Sequence, residues 1–162
     1  MRRAFAAATA RTGGIDGMAL SRDVAGARAL AERAHEGQVD RAGLPYVGHP
    51  MRVAGRMETP EAQVVGWLHD TVEDTDVTLR DIEAAFGSET AAAVDAISRR
   101  KGEKWGDYLA RVKANPIATE VKLSDLIDNS NLSRLPRVTL RDVERQKRYN
   151  KALKYLMRGE KP

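Results

Sequence analysis

The chain has 162 residues, 42% of them hydrophobic and 31% charged, which is long enough for one domain with a substantial core. It lacks an apolar run of the roughly 18 residues that a membrane-spanning helix needs. It also contains no cysteine, which excludes disulfide bonds and thiolate metal sites and fits a reducing compartment. We therefore expect a cytoplasmic globular protein with no membrane partner.

The formal net charge of +4 is divided evenly between a short N-terminal segment and the rest of the chain. Residues 1–17 contain three arginines and one aspartate, which leaves 24 basic and 22 acidic residues interspersed over the remainder. That balance disfavours a nucleic-acid-binding surface, which usually concentrates basic residues. We expect residues 1–17 to be a flexible extension and residues 18–162 to form a single domain with no nucleic-acid partner.

The first half of the chain predicts three helices and one long loop. Apolar residues recur at helical spacing from Leu20 to Glu36, with Ser21 as the expected N-cap. Glycine and proline residues mark residues 37–50 as a loop. A short helix is expected over residues 51–57, and a threonine followed by a proline opens a longer helix over residues 60–74.

The second half predicts further helices that are separated by glycine or proline residues. Gly87 ends the first of them, and Thr139 is expected to cap the last. No convincing alternating strand pattern interrupts the series, so we predict an all-α bundle of about seven or eight helices. The predicted helices in this half span residues 79–86, 88–100, 105–115, 118–135 and about 140–157.

The segment GWLHDTVEDT concentrates chemically active side chains on one side of a predicted helix. His69, Asp70, Glu73 and Asp74 fall within about 140° of its circumference, and apolar residues occupy the opposite side. A solvated surface would ordinarily include lysine or arginine to offset three carboxylates, and none is present. Gly66 lies in the middle of the polar side and would leave room for a ligand. The pattern favours a bound cation, and a solvated helix surface is the alternative.

Further metal ligands must come from other parts of the chain. His49 follows the glycine-rich loop at a helix start, where a capping or core histidine is the alternative interpretation. Asp125 and Asn129 share a helix face with Lys122. Asp125 could equally be a surface residue that pairs with Lys122.

Four motifs between residues 24 and 135 together resemble those of the HD superfamily of metal-dependent phosphohydrolases. They read AHEGQ, GLPYVGHPMRVA, LHDTVEDTDVTLRDIEAAFG and EVKLSDLIDN. The resemblance is strongest to the hydrolase domain of RelA/SpoT-like alarmone enzymes and its small stand-alone relatives. It implies an HD-domain helical bundle that removes pyrophosphate from the 3′ position of (p)ppGpp, so the expected partner is a small anionic nucleotide.

The resemblance also implies roles for nine residues, in three groups. The expected metal is Mn²⁺, with Fe²⁺ or another divalent ion as alternatives, since imidazole and carboxylate ligands suit such ions. His35, in the first motif, is expected to be structural or to support the site. The metal ligands would be His49, His69, Asp70 and Asp125. Glu73 and Asp74 would activate water, and Arg41, Lys122 and Asn129 would bind the substrate.

The loop after AHEGQ departs from the pattern of the alarmone hydrolases. Those enzymes usually carry a basic pair there, whereas this chain has Asp40 and Arg41, so only one position keeps the positive charge. Two alternatives stay open: hydrolysis of another nucleotide or phosphorylated metabolite, because the HD superfamily is chemically broad, or a non-catalytic regulatory module with a structural metal.

Overall fold

The structure, a computed structural model, describes residues 21–158, so the extension predicted over residues 1–17 lies outside it. Apart from an isolated β-bridge between Val39 and Pro45, the regular secondary structure in this range is helical, which confirms the all-α prediction. None of these helices is both long and apolar enough to cross a membrane. The helices are α1 (Val24–Ala34), α2 (Gly48–Ala54), α3 (Pro60–Leu68), α4 (Thr71–Asp74), α5 (Leu79–Phe86), α6 (Ser88–Ile97), α7 (Trp105–Lys113), α8 (Pro116–Ser130) and α9 (Leu140–Arg158), with a 3₁₀ turn at Leu132–Arg134.

Capping side chains accept from the first amides of four of the described helices, α1, α3, α5 and α8. Thr59 accepts a hydrogen bond from the N–H of Ala62 at the start of α3, as the sequence predicted. The predicted cap of α1 is wrong. Asp23, rather than Ser21, accepts from the N–H of Gly26 at 3.0 Å, and the Ser21 hydroxyl donates to the Asp23 carboxylate. A carboxylate also complements the positive end of the helix dipole, which a hydroxyl does not.

The continuous helix predicted over residues 60–74 is wrong, because it breaks at His69 and Asp70. Helix α3 ends at Leu68, and α4 is a separate segment of four residues. Side chains satisfy the carbonyls at the break: the Thr71 hydroxyl donates to the Leu68 carbonyl at 2.7 Å, and a ring nitrogen of His69 lies 2.7 Å from the Gly66 carbonyl. The single helical arc expected for the four polar residues therefore does not exist.

Helix α3 is the central element of the bundle, since it packs against α1, α2, α6 and α8. Its approach to α2 depends on Gly66. A Cβ atom at this position would lie 2.8 Å from the Cα and 3.1 Å from the N of Ala54. Gly66 is therefore needed for close contact between two helices, and the interpretation that it leaves room for a ligand is wrong. The contact brings the N-terminal end of α2 beside the C-terminal end of α3.

Candidate metal centre

Two buried histidines face each other where α2, α3 and α8 meet. His49 is the second residue of α2, and His69 directly follows α3; their residues are 4% and 2% exposed. Their Nε2 atoms are 3.3 Å apart. The contact between α2 and α3 thus places two imidazole nitrogens from different helices at one point.

The other nitrogen of each ring is held by a hydrogen-bond acceptor. Nδ1 of His69 lies 2.7 Å from the carbonyl oxygen of Gly66, and Nδ1 of His49 lies 2.8 Å from a carboxylate oxygen of Asp128. Because a carbonyl and a carboxylate can only accept, Nδ1 carries the hydrogen in both rings. In its neutral form, each ring therefore directs an Nε2 lone pair toward the same point.

Two carboxylates complete the cluster around these nitrogens. Oδ2 of Asp70 lies 3.2 Å from Nε2 of His69 and 3.5 Å from Nε2 of His49. Oδ1 of Asp125 lies 3.0 Å from Nε2 of His49 and 3.8 Å from Nε2 of His69. The structure thus brings together all four residues that the sequence proposed as metal ligands.

The spacing and chemistry of the ligand atoms of His49, His69 and Asp70 fit a single divalent cation, and Oδ1 of Asp125 lies beside the two imidazole nitrogens as a fourth possible ligand. Ligand atoms at about 2.0–2.2 Å from one ion lie roughly 3.0–3.6 Å apart, close to the separations in the cluster. Neutral imidazole Nε2 atoms and carboxylate oxygens are all acceptors, so they repel one another unless a proton or a cation lies between them. The donor set contains two nitrogens and two oxygens, which suits a first-row divalent metal.

A proton can take the place of that cation in part. Burial lowers the pKa of His49, but the hydrogen bonds to Asp125 and Asp128 and the charge of Asp70 outweigh burial and raise the pKa to about 9. Burial raises the pKa of the Asp125 carboxyl group, but Lys122 and His49 hold that pKa below its ordinary value. A metal ion that binds here must therefore displace a proton from His49.

Each carboxylate ligand is held by a neighbouring donor. The Tyr46 hydroxyl donates to Oδ2 of Asp70, and the Lys122 ammonium lies 2.7 Å from Oδ2 of Asp125. The amide of Asn129 donates to Oδ1 of Asp125. Two of the predicted substrate-binding residues, Lys122 and Asn129, thus contact a proposed metal ligand. Tyr46 was missed, although its position three residues before His49 near a helix start was an available signal.

The acidic pair Glu73 and Asp74 lies beyond the helix break. Glu73 is exposed, and one of its carboxylate oxygens accepts from the backbone N–H of Arg99 at 2.9 Å. Partial desolvation raises the pKa of Glu73, and the charges of Asp70 and Asp125 add to the effect, while the Arg99 amide opposes it. Asp74 is half-buried, and its backbone carbonyl accepts from the Gln38 side chain at 3.2 Å.

The loop before α2 holds the remaining sequence candidates, and they face other partners. Arg41 donates to Asp142 of α9, and the Asp40 carboxylate accepts from two backbone amides of its own loop, at 2.8 Å and 3.0 Å. His35 is buried, with Nδ1 2.8 Å from the side-chain oxygen of Gln38 and its ring centroid 4.9 Å from that of Tyr46. The hydrogen bonds of Arg41 and Asp40 are thus made with α9 and with the loop itself rather than with the four clustered ligands.

Asp128 is the second residue that sequence reasoning missed. Its carboxylate is buried, and besides His49 it is contacted by three arginines, described further below. Burial raises the pKa of Asp128, but His49 and Arg52 hold it well below its ordinary range. The available signal was its position three residues after Asp125, on the same face of α8.

A family profile described as "HD domain" matches residues 27–116. The chain belongs to the HD domain family. This match includes His49, His69 and Asp70 but stops before Asp125, which lies on α8. Membership of this family, together with the His/Asp cluster, implies that the chain binds a divalent metal ion.

Curated relatives of this HD protein include enzymes of alarmone metabolism. It is 30% identical over 144 residues to a GTP pyrophosphokinase of Streptomyces coelicolor, which covers 81% of this chain and 16% of that protein. It is 41% identical over 85 residues to a guanosine-3′,5′-bis(diphosphate) 3′-pyrophosphohydrolase of Vibrio cholerae, which covers 48% of this chain and 12% of that protein. The chain thus spans less than a fifth of the length of these two relatives.

Solved structures share the arrangement of helices. A metazoan ortholog of SpoT that hydrolyses ppGpp matches with a TM-score of 0.67 and 22% identity, over 83% of this chain and 85% of that one. A crystal structure of lmo0812 from Listeria monocytogenes EGD-e matches with a TM-score of 0.52 and 30% identity, over 70% of this chain and 80% of that one. The first of these similarities establishes the shared fold and nothing further.

Proposed function

We propose that this HD domain is a Mn²⁺-dependent phosphohydrolase that removes pyrophosphate from the 3′ position of (p)ppGpp. The observation that carries the proposal is the convergence of four side chains, those of His49, His69, Asp70 and Asp125. Glu73 is near enough for the charges of the two aspartates to raise its pKa. The names of the curated relatives support the substrate. We also propose that residues 18–162 form one domain, since the helices continue through α9 to Arg158.

The four clustered residues would hold the metal, and the donor set suits Fe²⁺ as well as Mn²⁺. A bound divalent ion would lower the pKa of water and polarise the phosphorus atom. The protein's part is to fix the ligands. Gly66 and Asp128 orient the two imidazoles, while Tyr46 and Lys122 hold the two carboxylates.

Glu73 is the proposed general base, because a carboxylate with a raised pKa can take a proton from attacking water near neutral pH. The backbone N–H of Arg99 fixes one oxygen of Glu73 and leaves the other for water. Asp74 is proposed to assist. The bond from Gln38 to the Asp74 carbonyl ties this short segment to the loop before α2.

Three residues are proposed to bind the substrate. Arg41 is 47% exposed at its side chain, so its guanidinium can contact a phosphate while Asp142 holds one of its nitrogens. Asn129 is half-buried next to Asp125, where a nucleotide at the metal would come within reach. Lys122 is only 13% exposed at its side chain, and we propose that it acts on the substrate mainly by positioning Asp125.

A second candidate is a hydrolase for another nucleotide, and the acidic residue Asp40 in place of a basic one favours it. A panel of nucleotides that includes (p)ppGpp, assayed for phosphate and pyrophosphate release with the Mn²⁺-loaded protein, separates the two. We expect pyrophosphate release from (p)ppGpp. Activity on another nucleotide without any on (p)ppGpp would support the second candidate.

The variant Glu73→Gln tests catalysis in the same assay. It should retain metal but lower kcat by roughly 10²- to 10⁴-fold, the usual contribution of a general base. Glu89→Gln, at an exposed position in the first turn of α6, is the matched control and should leave kcat unchanged. A protein that binds metal but shows no activity on any nucleotide would instead indicate a regulatory module.

A further inference from the structure

Three arginines surround the single carboxylate of Asp128, and we call Arg52, Arg56 and Arg134 the arginine cluster. Arg52 contacts both oxygens of Asp128, with Nε at 2.9 Å from Oδ1 and Nη2 at 3.1 Å from Oδ2. Nη2 of Arg56 lies 3.3 Å from Oδ1, and Nη2 of Arg134 lies 3.0 Å from Oδ2. The cluster therefore joins α2 to the end of α8.

The cluster carries more positive charge than Asp128 can neutralise. Three guanidinium charges against one carboxylate leave two positive charges, and the ion pairs described for the three arginines all end on Asp128. A carboxylate offers about four lone-pair sites, and here it receives five contacts once Nδ1 of His49 is included. Elsewhere, Nη1 of Arg56 donates to the Ser124 hydroxyl at 3.5 Å, and Nη2 of Arg134 donates to the backbone carbonyl of Asp128. The other guanidinium N–H groups of the cluster exceed what the carboxylate can accept.

Holding Asp128 in place does not require three arginines. The two contacts from Arg52 already form the bidentate geometry that fixes a carboxylate, and the ring of His49 adds a third. Arg56 and Arg134 each add one contact to it from a partly exposed side chain. Nε of Arg134 is a buried donor with no hydrogen-bond partner.

The cluster is accessible to a small anion. The side chains of Arg52, Arg56 and Arg134 are 33%, 42% and 30% exposed. Arginines bind phosphoryl groups through paired N–H groups, and several together make a site for a multiply charged anion. The His49 ring separates the cluster from the proposed metal position, because Nδ1 faces Asp128 and Nε2 faces the other ligands.

We propose that the arginine cluster is a binding site for a phosphoryl anion, distinct from the metal centre. The anion would take up the guanidinium N–H groups that Asp128 leaves unsatisfied and would offset the excess charge. Its source is either a second phosphate group of the substrate or a separate phosphorylated ligand. Binding itself does not depend on the proposed hydrolase function.

The test is calorimetric titration of inorganic pyrophosphate into the full chain after chelator treatment, so that metal contributes nothing to binding. Arg56→Gln and Arg134→Gln should each weaken the affinity at least tenfold. Arg80→Gln, at an exposed arginine of α5, is the matched control and should bind as the wild type does. Thermal unfolding of every variant checks that the fold is retained, and having two cluster variants keeps the test decisive if one of them is unstable.

Two results would overturn the proposal: a wild-type chain that fails to bind millimolar pyrophosphate, or cluster variants that are folded and bind it as tightly as the wild type. In a second experiment, the KM of Arg56→Gln for (p)ppGpp identifies the source of the anion. A raised KM together with lost pyrophosphate binding assigns the site to the substrate's second phosphate group. An unchanged KM with lost pyrophosphate binding assigns it to a separate ligand. If no hydrolysis is detected at all, the proposed function fails while the titration still decides the anion site.

Discussion

The candidate metal centre and the loop before it contain the same kinds of polar residue, used in different ways. In the centre, side chains from α2, α8 and the break after α3 converge on one point, and each proposed ligand has a partner that orients it. In the loop, Asp40 accepts from backbone amides and Arg41 pairs with α9. Residue type therefore does not distinguish a reactive site from a scaffold; the partners of each side chain do.

Within the centre, the two histidines are oriented by different means. His69 depends on the backbone carbonyl of Gly66, which no substitution can remove. His49 depends on the side chain of Asp128, which lies 79 residues away in sequence. Substitutions can therefore affect His69 through helix packing and His49 through charge. Similar substitutions in the loop should have small effects.

The largest effect is expected from Gly66→Ala. The new Cβ would lie 2.8 Å from the Cα of Ala54, and because that atom belongs to the backbone, α2 and α3 must move apart. We expect a loss of about 1–3 kcal/mol in the free energy of unfolding, together with reduced metal content, since His49 and His69 would separate. Urea unfolding and metal analysis measure the two effects.

Gly106→Ala is the control for this substitution. Gly106 lies on α7, and a Cβ atom there would have no neighbour within 4 Å. Alanine should leave stability unchanged or raise it by up to about 1 kcal/mol, as in other helices. Equal stability and equal metal content in the two variants would contradict the role assigned to the Gly66 contact.

A smaller effect is expected from Asp128→Asn. The amide oxygen can still accept from Nδ1 of His49, but the negative charge that makes the imidazole a stronger ligand is lost. Metal affinity, measured by competition with a chelator, should fall about 10- to 100-fold. Asp95→Asn removes an exposed partner of Arg100 and should leave the affinity unchanged. A full-affinity Asp128→Asn variant would mean that His49 is oriented by packing alone.

The sequence predicted which residues cluster better than it predicted the geometry that holds them. His49, His69, Asp70 and Asp125 follow a spaced pattern, so they could be proposed without coordinates. The break after Leu68 could not be predicted, because no proline or glycine lies at it. Side-chain hydrogen bonds from His69 and Thr71 replace the missing hydrogen bonds of the helix.

Local sequence patterns also could not predict contacts between residues that are distant in the chain. Gly66 is ambiguous in sequence, since its role depends on the approach of Ala54 from another helix. Arg41 carries a charge suited to phosphate, but its pairing with Asp142 spans 101 residues. Helical periodicity reports which face of a helix is apolar; it does not report which distant side chain satisfies a polar one.

Proton release provides a third comparison, between metal binding in the wild type and in Asp128→Asn. In chelator-treated protein the pKa of His49 is about 9, so the ring is protonated at pH 7 and must lose its proton to bind metal. We expect release of close to one proton from His49 per metal ion at pH 7. The apparent affinity should rise with pH by about tenfold per unit until the pH reaches the pKa.

The same pKa sets the direction of a stability change in the metal-free protein. Because the folded value of about 9 exceeds the unfolded value, protonated His49 contributes stability fully below about pH 6.5, and this contribution is lost as pH rises through 9. Calorimetric titration of metal in buffers of different ionisation enthalpy measures the protons released on metal binding. With rising pH, the proton release of Asp128→Asn should decline earlier than that of the wild type, because the pKa of His49 falls; the same pH dependence in both proteins would contradict this account.

The smallest effect is expected in the loop, from Asp40→Asn. Asparagine keeps an oxygen that can accept from the N–H groups of Ala42 and Leu44, so the turn is preserved while the negative charge is removed. If the Asp40 carboxylate only accepts hydrogen bonds from these amides and does not face the substrate, the KM for (p)ppGpp should change by no more than about twofold. Arg41→Ala should raise KM more, because a proposed phosphate contact is lost. It should lower the free energy of unfolding by about 1 kcal/mol or less, since the Arg41 side chain is partly exposed and buried Asp142 keeps Thr139 and Arg145 as partners. Steady-state kinetics with the Mn²⁺-loaded protein measure both variants. A tenfold or larger fall in KM for Asp40→Asn would show that the carboxylate repels the nucleotide, and the loop would then select for a substrate with less negative charge than (p)ppGpp.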